Sequence, residues 1–268
     1  MTNLPSYANP PVVETATSIQ FPRSRNLRNQ HLWEYWFSFL RDKYPNTSDQ
    51  FPLDPIMEAT GENAPLHNAL PTIRPAAPED RIQATTNSGR GMVQLQNGRV
   101  IYNWRKLDGG EYPRWDKTYD QFINHMNHFF KYLSDISIGP VQPNQWEVVY
   151  VNHLMQGIDW DSESDWPNLL PGIFSKQVLS SIEPESINLQ FQYKAQGFNG
   201  RFYISLEKAV LAKDRDKELL VLKLTSRGGI PKGSNIHDQF LAGRQLIVET
   251  FDSVTSEDAH KRWGKESA

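Results

Sequence analysis

Asn97-Gly98 narrows the folding choices of this chain more than any other pair of residues. Both residue types enter positive φ at low cost, as a two-residue type I′ turn demands, and strand-like runs at residues 92–96 and 99–106 flank them, so the segment reads as a β-hairpin. Further strands are expected at residues 12–21, 146–154, 187–194, 201–211 and 219–226, with alternation in Leu189, Phe191, Tyr193 and in Phe202, Ile204, Leu206. Strands that follow one another through short turns pair antiparallel.

Helical spacing appears in Leu32, Trp33, Trp36, Phe37 and Leu40, and over a longer span in Trp115, Tyr119, Phe122, Met126, Phe129, Phe130 and Leu133. Two more helices are expected near the end, one over residues 235–251 and a short one opened by Thr255-Ser-Glu-Asp258, whose side chains suit a capping box. The fold class that follows is α+β: a mainly antiparallel sheet of about seven strands with long helices packed on one face. Residues 1–11 read as a flexible lead and 12–264 as a single domain. Within it, the proline-rich stretch 46–90 reads as a long irregular connection. No internal repeat at a solenoid period is visible.

Composition removes several functions. The 268 residues contain no cysteine, so disulfides, thiolate nucleophiles and zinc-thiolate sites are ruled out. A formal charge of −3 supplies no field for nucleic acid or anionic lipid, and nucleic-acid binding is disfavoured. No apolar run approaches a membrane span or a signal peptide, so a cytoplasmic location is expected. Gly-rich phosphate loops, Gly-x-Ser-x-Gly, His-Glu-x-x-His and kinase signatures are missing, and no cofactor is implied.

Several polar residues remain as candidates. Asn103 and Arg105 alternate on the second hairpin strand and offer an amide and a guanidinium fork to a phosphate, a carboxylate or an acidic partner, with internal pairing of the arginine to Glu147 as the structural alternative. Asn152 and His153 close the strand at 146–154, where side chains project toward loops and a histidine can serve as a base or a ligand contact. These four form the ligand-binding candidates. Asp159, Trp160, Asp161 and Trp166, in an acidic tryptophan-bearing insert, are the partner-binding candidates; the insert lacks the glycine and glutamate offsets of an EF-hand calcium loop. His125 and His128 share one side of the long helix without a third ligand, so no metal site is assigned. His237, Arg244, His260 and Trp263 read as structural. Gly243, costly in a helix, points to close packing there.

Asn9-Pro-Pro-Val-Val-Glu14, Asn103-Trp-Arg-Lys106, Tyr112-Pro113, Tyr150-Val-Asn-His153 and Ala259-His-Lys-Arg-Trp-Gly264 together resemble a sporadically distributed prokaryotic family of uncharacterised proteins of about this length. The family brings no established activity or catalytic residues, and its patchy distribution resembles that of mobile accessory genes. The function expected on these grounds is a non-enzymatic binding or interaction protein with another protein as partner, such as an accessory component of a bacterial defence or toxin-antitoxin type module. The alternative is a domain that binds a small molecule or nucleotide, enzymatic or not, through the Asn/Arg/His cluster.

Overall fold

The computed structural model describes residues 4–58, 81–107, 109–174, 185–211 and 214–266. The chain runs through β1 (Ser6–Tyr7), β2 (Val12–Gln20), α1 (Asn29–Tyr35), β3 (Asn46–Gln50), β4 (Arg81–Thr85), β5 (Gly91–Gln96), β6 (Arg99–Arg105) and α2 (Arg114–Asp135). It continues through β7 (Gln145–Met155), α3 (Trp166–Leu169), β8 (Asn188–Lys194), β9 (Gly200–Leu211), β10 (Asp214–Gly229), α4 (Ile236–Val254), α5 (Glu257–Arg262) and β11 (Lys265–Glu266). A π-helical turn, Trp36–Leu40, extends α1.

The class is α+β, with one large antiparallel sheet in the order β3-β4-β5-β6-β2-β7-β10-β9-β8. Nine strands replace the expected seven or so, because β3 and β4 emerge from the connection at 46–90 and extend the sheet past the hairpin. Their signal is weak for a physical reason: every residue of the edge strand β3 is exposed, so it has no apolar alternation, and β4 shows only Ile82 and Ala84 inward. Residues 59–80 of that connection lie outside the described residues.

Strand order conceals a two-fold relation. β2 and β7 pair antiparallel at the centre; β6, β5 and β4 succeed one another outward from β2 as β10, β9 and β8 do from β7. Each half follows one plan: a central strand, a short helix, a strand meander that returns to the central strand, and a long helix, α2 or α4, laid across its own half. A repeat this long carries no short sequence period.

The two sheet faces differ sharply. Cross-strand neighbours share a face, so Val100, Ile19 and Trp146 lie together, as do Tyr102, Thr17 and Val148, and these residues meet the helices. Phe122, Phe129 and Leu133 of α2 and Phe240 and Ile247 of α4 complete this core, each apolar side chain contributing about 1.5–3 kcal/mol on burial. The opposite face carries Gln20, Gln94, Gln96, Arg99, Asn103 and Gln145, all buried although polar.

Histidines in the helical layer are tied to tyrosines. His125 Nε2 lies 2.8 Å from the Tyr44 hydroxyl and His128 Nδ1 lies 2.9 Å from that of Tyr35. Among the described residues no group of three or more histidines or carboxylates is placed to hold a metal ion, and no helix is long and apolar enough to cross a membrane.

The segment read as a flexible lead is pinned in its described part. β1 pairs with β11, Ala8 and Asn9 donate to the carbonyls of Gly264 and Trp263, and the Tyr7 hydroxyl donates to Asp252 at 2.6 Å. Extended polar segments carry no periodic signal of such docking, because their partners are backbone groups distant in sequence.

Candidate functional site

Between the two long helices and the central strands lies a cleft whose empty volume, open mouth included, is about 680 Å³. Arg114 and Trp115 come from the start of α2, Arg244, Ile247 and Phe251 from α4, and Val12, Tyr150 and Asn152 from the sheet; Leu4, Pro5 and Tyr7 of the N-terminal segment form the outer wall. The cleft therefore sits where the two halves of the sheet meet.

Its polar groups converge. The Tyr112 and Tyr150 hydroxyls are 2.9 Å apart. Burial pushes both phenols up from their ordinary pKa; for Tyr150 the hydrogen bond to Tyr112 and the charge and hydrogen bonding of the nearby Arg244 pull the other way. Both remain neutral hydrogen-bond donors at physiological pH. Asn152 Nδ2 donates to the Leu222 carbonyl at 3.2 Å, which fixes the amide on the cleft side of the sheet.

Arg244 is the group whose placement stands out. Its guanidinium carbon is 5.7 Å from the centre of the Trp115 ring, and its Nε is buried without a hydrogen-bond partner. Among the described residues it forms no salt bridge. The residue as a whole is half-buried, so an anion entering the cleft would meet a partly exposed guanidinium whose Nε–H is still free to donate. The sequence reading took Arg244 as structural, yet the signal was available. Phe240, Arg244, Ile247 and Phe251 recur at helical spacing, so a guanidinium occupies a position that the pattern reserves for an apolar side chain.

The four ligand-binding candidates are not brought together. Asn152 alone faces this cleft, while Asn103, Arg105 and His153 project from the opposite face, since residues adjacent along β7 alternate. Asn103 is buried, donating to Glu14 at 2.6 Å and accepting from Gln94 at 2.7 Å. Arg105 spans to the Gly89 carbonyl at 2.8 Å and does not meet Glu147, which instead pairs with Arg227. His153 is partly buried, and that burial lowers its pKa.

The partner-binding candidates divide as well. Trp160 and Trp166 are buried, edge to face at 5.7 Å, and Trp160 Nε1 donates to the Leu154 carbonyl. Asp159 is an internal tie: it accepts from the Met155 amide at 2.8 Å and from Trp263 Nε1 at 3.0 Å. Asp161 is exposed. The tryptophans thus form the core of the insert and offer no partner-facing surface, because a turn-rich segment of this length needs large rings to bury itself against the sheet.

No family model, curated protein or solved structure matches this chain.

Proposed function

We propose that the protein binds a small amphipathic carboxylate in the cleft between α2, α4 and the sheet. The observation that carries this reading is Arg244, a cation with a buried, unpartnered Nε at the wall of a mainly apolar cleft. One guanidinium supplies a fork for one carboxylate, and the neutral Tyr112 and Tyr150 hydroxyls and the Asn152 amide line the same cleft and can orient it. Val12, Trp115, Leu224, Ile247 and Phe251 favour an apolar body behind the charged head. Arg114, the other arginine lining the cleft, already donates to the Tyr7 carbonyl at 2.9 Å and lies 3.9 Å from Glu266, and the single remaining guanidinium suits a monoanion better than a phosphate dianion.

The test is calorimetric titration and thermal unfolding with octanoate, benzoate and the neutral octanamide. Occupancy at a hundred times the dissociation constant stabilises a fold by about 2.7 kcal/mol, roughly a 5 °C rise in Tm for a chain of this size. Carboxylates should produce that rise and octanamide should not. Arg244→Met, which keeps an unbranched side chain and removes the guanidinium above Trp115, should abolish the difference. Equal shifts with acid and amide would sink the reading.

A further inference from the structure

The sheet face turned away from the helices holds a length of backbone that is not a strand. Gln96 accepts from the Leu53 amide and donates to the Leu53 carbonyl, both at 2.9 Å. Gln20 treats Ile56 in the same way, at 2.9 and 3.0 Å, and Gln145 accepts from the Glu58 amide at 3.1 Å. A side-chain amide that both donates to and accepts from one residue reproduces half of a β-ladder and reads no side chain. The three glutamines stand on β5, β2 and β7, so the held backbone crosses the strands. Arg99, buried beside them, donates to Gln20 Oε1 at 2.8 Å and sets the orientation of that amide.

The track ends in a charged nest. The Glu58 side chain is fully buried, receives the Tyr203 hydroxyl at 2.6 Å, and is paired with Arg201 and, at 3.3 Å, with Arg227. Arg227 also pairs with Glu147. Two arginines therefore face two carboxylates, and the second carboxylate is delivered by the crossing segment. Just before the segment Phe51 is 87% exposed, and Met57, 50% exposed, still accepts from Gln20 Nε2 through its sulfur at 3.5 Å.

We propose that this face is a recognition track for an extended, acidic peptide segment of a partner protein, and that residues 53–58 occupy it as an internal stand-in. The glutamines hold the backbone of the segment and the arginine nest holds its carboxylate, and any extended chain with a suitably placed glutamate supplies both. Without Glu58 the nest keeps two guanidinium groups against Glu147 alone, a net positive site complementary to an acidic side chain. This site is on the opposite face from the cleft, and neither proposal depends on the other.

A capped, fluorescent peptide with the sequence of residues 51–58 tests the idea on the full-length chain. Glu58→Gln weakens the internal stand-in while preserving its backbone, so the peptide should bind that variant at least about tenfold more tightly than wild type, a difference of ~1.4 kcal/mol. Replacing the peptide's own glutamate by glutamine should cost at least about the same factor. Equal binding of the two peptides by a folded Glu58→Gln chain, or binding of neither, overturns the proposal. Should that variant fail to fold, hydrogen exchange of wild type with millimolar peptide decides: faster exchange at the Leu53, Ile56 and Glu58 amides supports displacement, and unchanged exchange refutes it.

Discussion

The α-carbon of Gly243 rests on the indole ring of Trp146: a methyl group built on Gly243 would stand 2.4 Å from Cζ3 and 2.6 Å from Cη2 of that ring. This contact fixes the distance between α4 and the sheet. It is reinforced by Ser226, whose hydroxyl donates to the Gly243 carbonyl at 2.8 Å. The ring is fully buried and packed edge to face against Phe198 and Phe240, so it has little room to retreat.

Gly243→Ala should therefore destabilise the protein although alanine is the better helix former. Propensity gains up to about 1 kcal/mol, while overpacking a closed core costs about 1–3 kcal/mol. A net loss of about 1–2 kcal/mol is expected in urea unfolding, with the m-value unchanged. Leu241→Ala, on the exposed side of the same helix, should change stability by less than about 0.5 kcal/mol. A stabilised Gly243→Ala protein would show that α4 can lift from Trp146 without loss.

His125 predicts an acid-sensitive core. Burial, with the Lys43 and His128 charges adding, lowers its pKa to about 4 from the usual 6.5. Tyr44 and Tyr102 are the groups packed on its ring. Because the unfolded chain takes up this proton at higher pH than the folded one, the stabilising effect is complete above about 6.5 and declines as pH falls toward 4. The contribution is of order 1–3 kcal/mol. Unfolding free energies measured between pH 7 and pH 4 should fall more steeply for wild type than for His125→Gln. Identical slopes would place the acid response elsewhere.

The legible parts of this fold were those where one residue pattern meets one local geometry. The Asn97-Gly98 hairpin forms, but not through the expected type I′ turn: Gly98 takes φ 97° while Asn97 is not at positive φ; the apolar stripe of α2 buries Phe122, Met126 and Phe129 as spaced. The Asn235 and Ser256 side chains cap α4 and α5. Illegible were β3, which is exposed throughout, and the two-fold plan, because Val12–Gln20 and Gln145–Met155 share a role without sharing a sequence pattern. In the candidate site, Asn152 was found by its place near a strand end. The Gln20, Gln96 and Gln145 track was missed because its meaning lies in backbone brought in from a distant segment, whereas Arg244 stood in the α4 pattern at a position suited to an apolar side chain.

The tryptophans of the insert make a further distinction between packing and recognition. Trp160 is 3% exposed and Trp166 1%, so Trp160→Ala should cost about 3–5 kcal/mol through the cavity it leaves. Asp161→Ala, at an exposed position, should leave stability within about 0.5 kcal/mol. Denaturation of both variants checks this. A Trp160→Ala protein as stable as wild type would mean that the insert packs only loosely on the sheet.

Tyr7 is where the outer wall of the cleft is fastened. Its ring packs against Phe251 and Trp263 and its hydroxyl donates to Asp252, which also meets Lys265, so one tyrosine links the N-terminal wall to α4 and to β11. Tyr7→Phe keeps the ring contacts and removes a hydrogen bond to a charged acceptor, worth about 1.5–3 kcal/mol where nothing replaces it. Lys265 remains on Asp252, so the loss should fall at or below the bottom of that range and should be local. Amide exchange at Ala8 and Asn9, whose N–H groups are held by Gly264 and Trp263, should accelerate roughly in proportion, while exchange in the central strands stays unchanged. If Ala8 and Asn9 exchange as slowly as in wild type, the backbone pairing with β11 alone holds the wall and the hydroxyl is incidental to it.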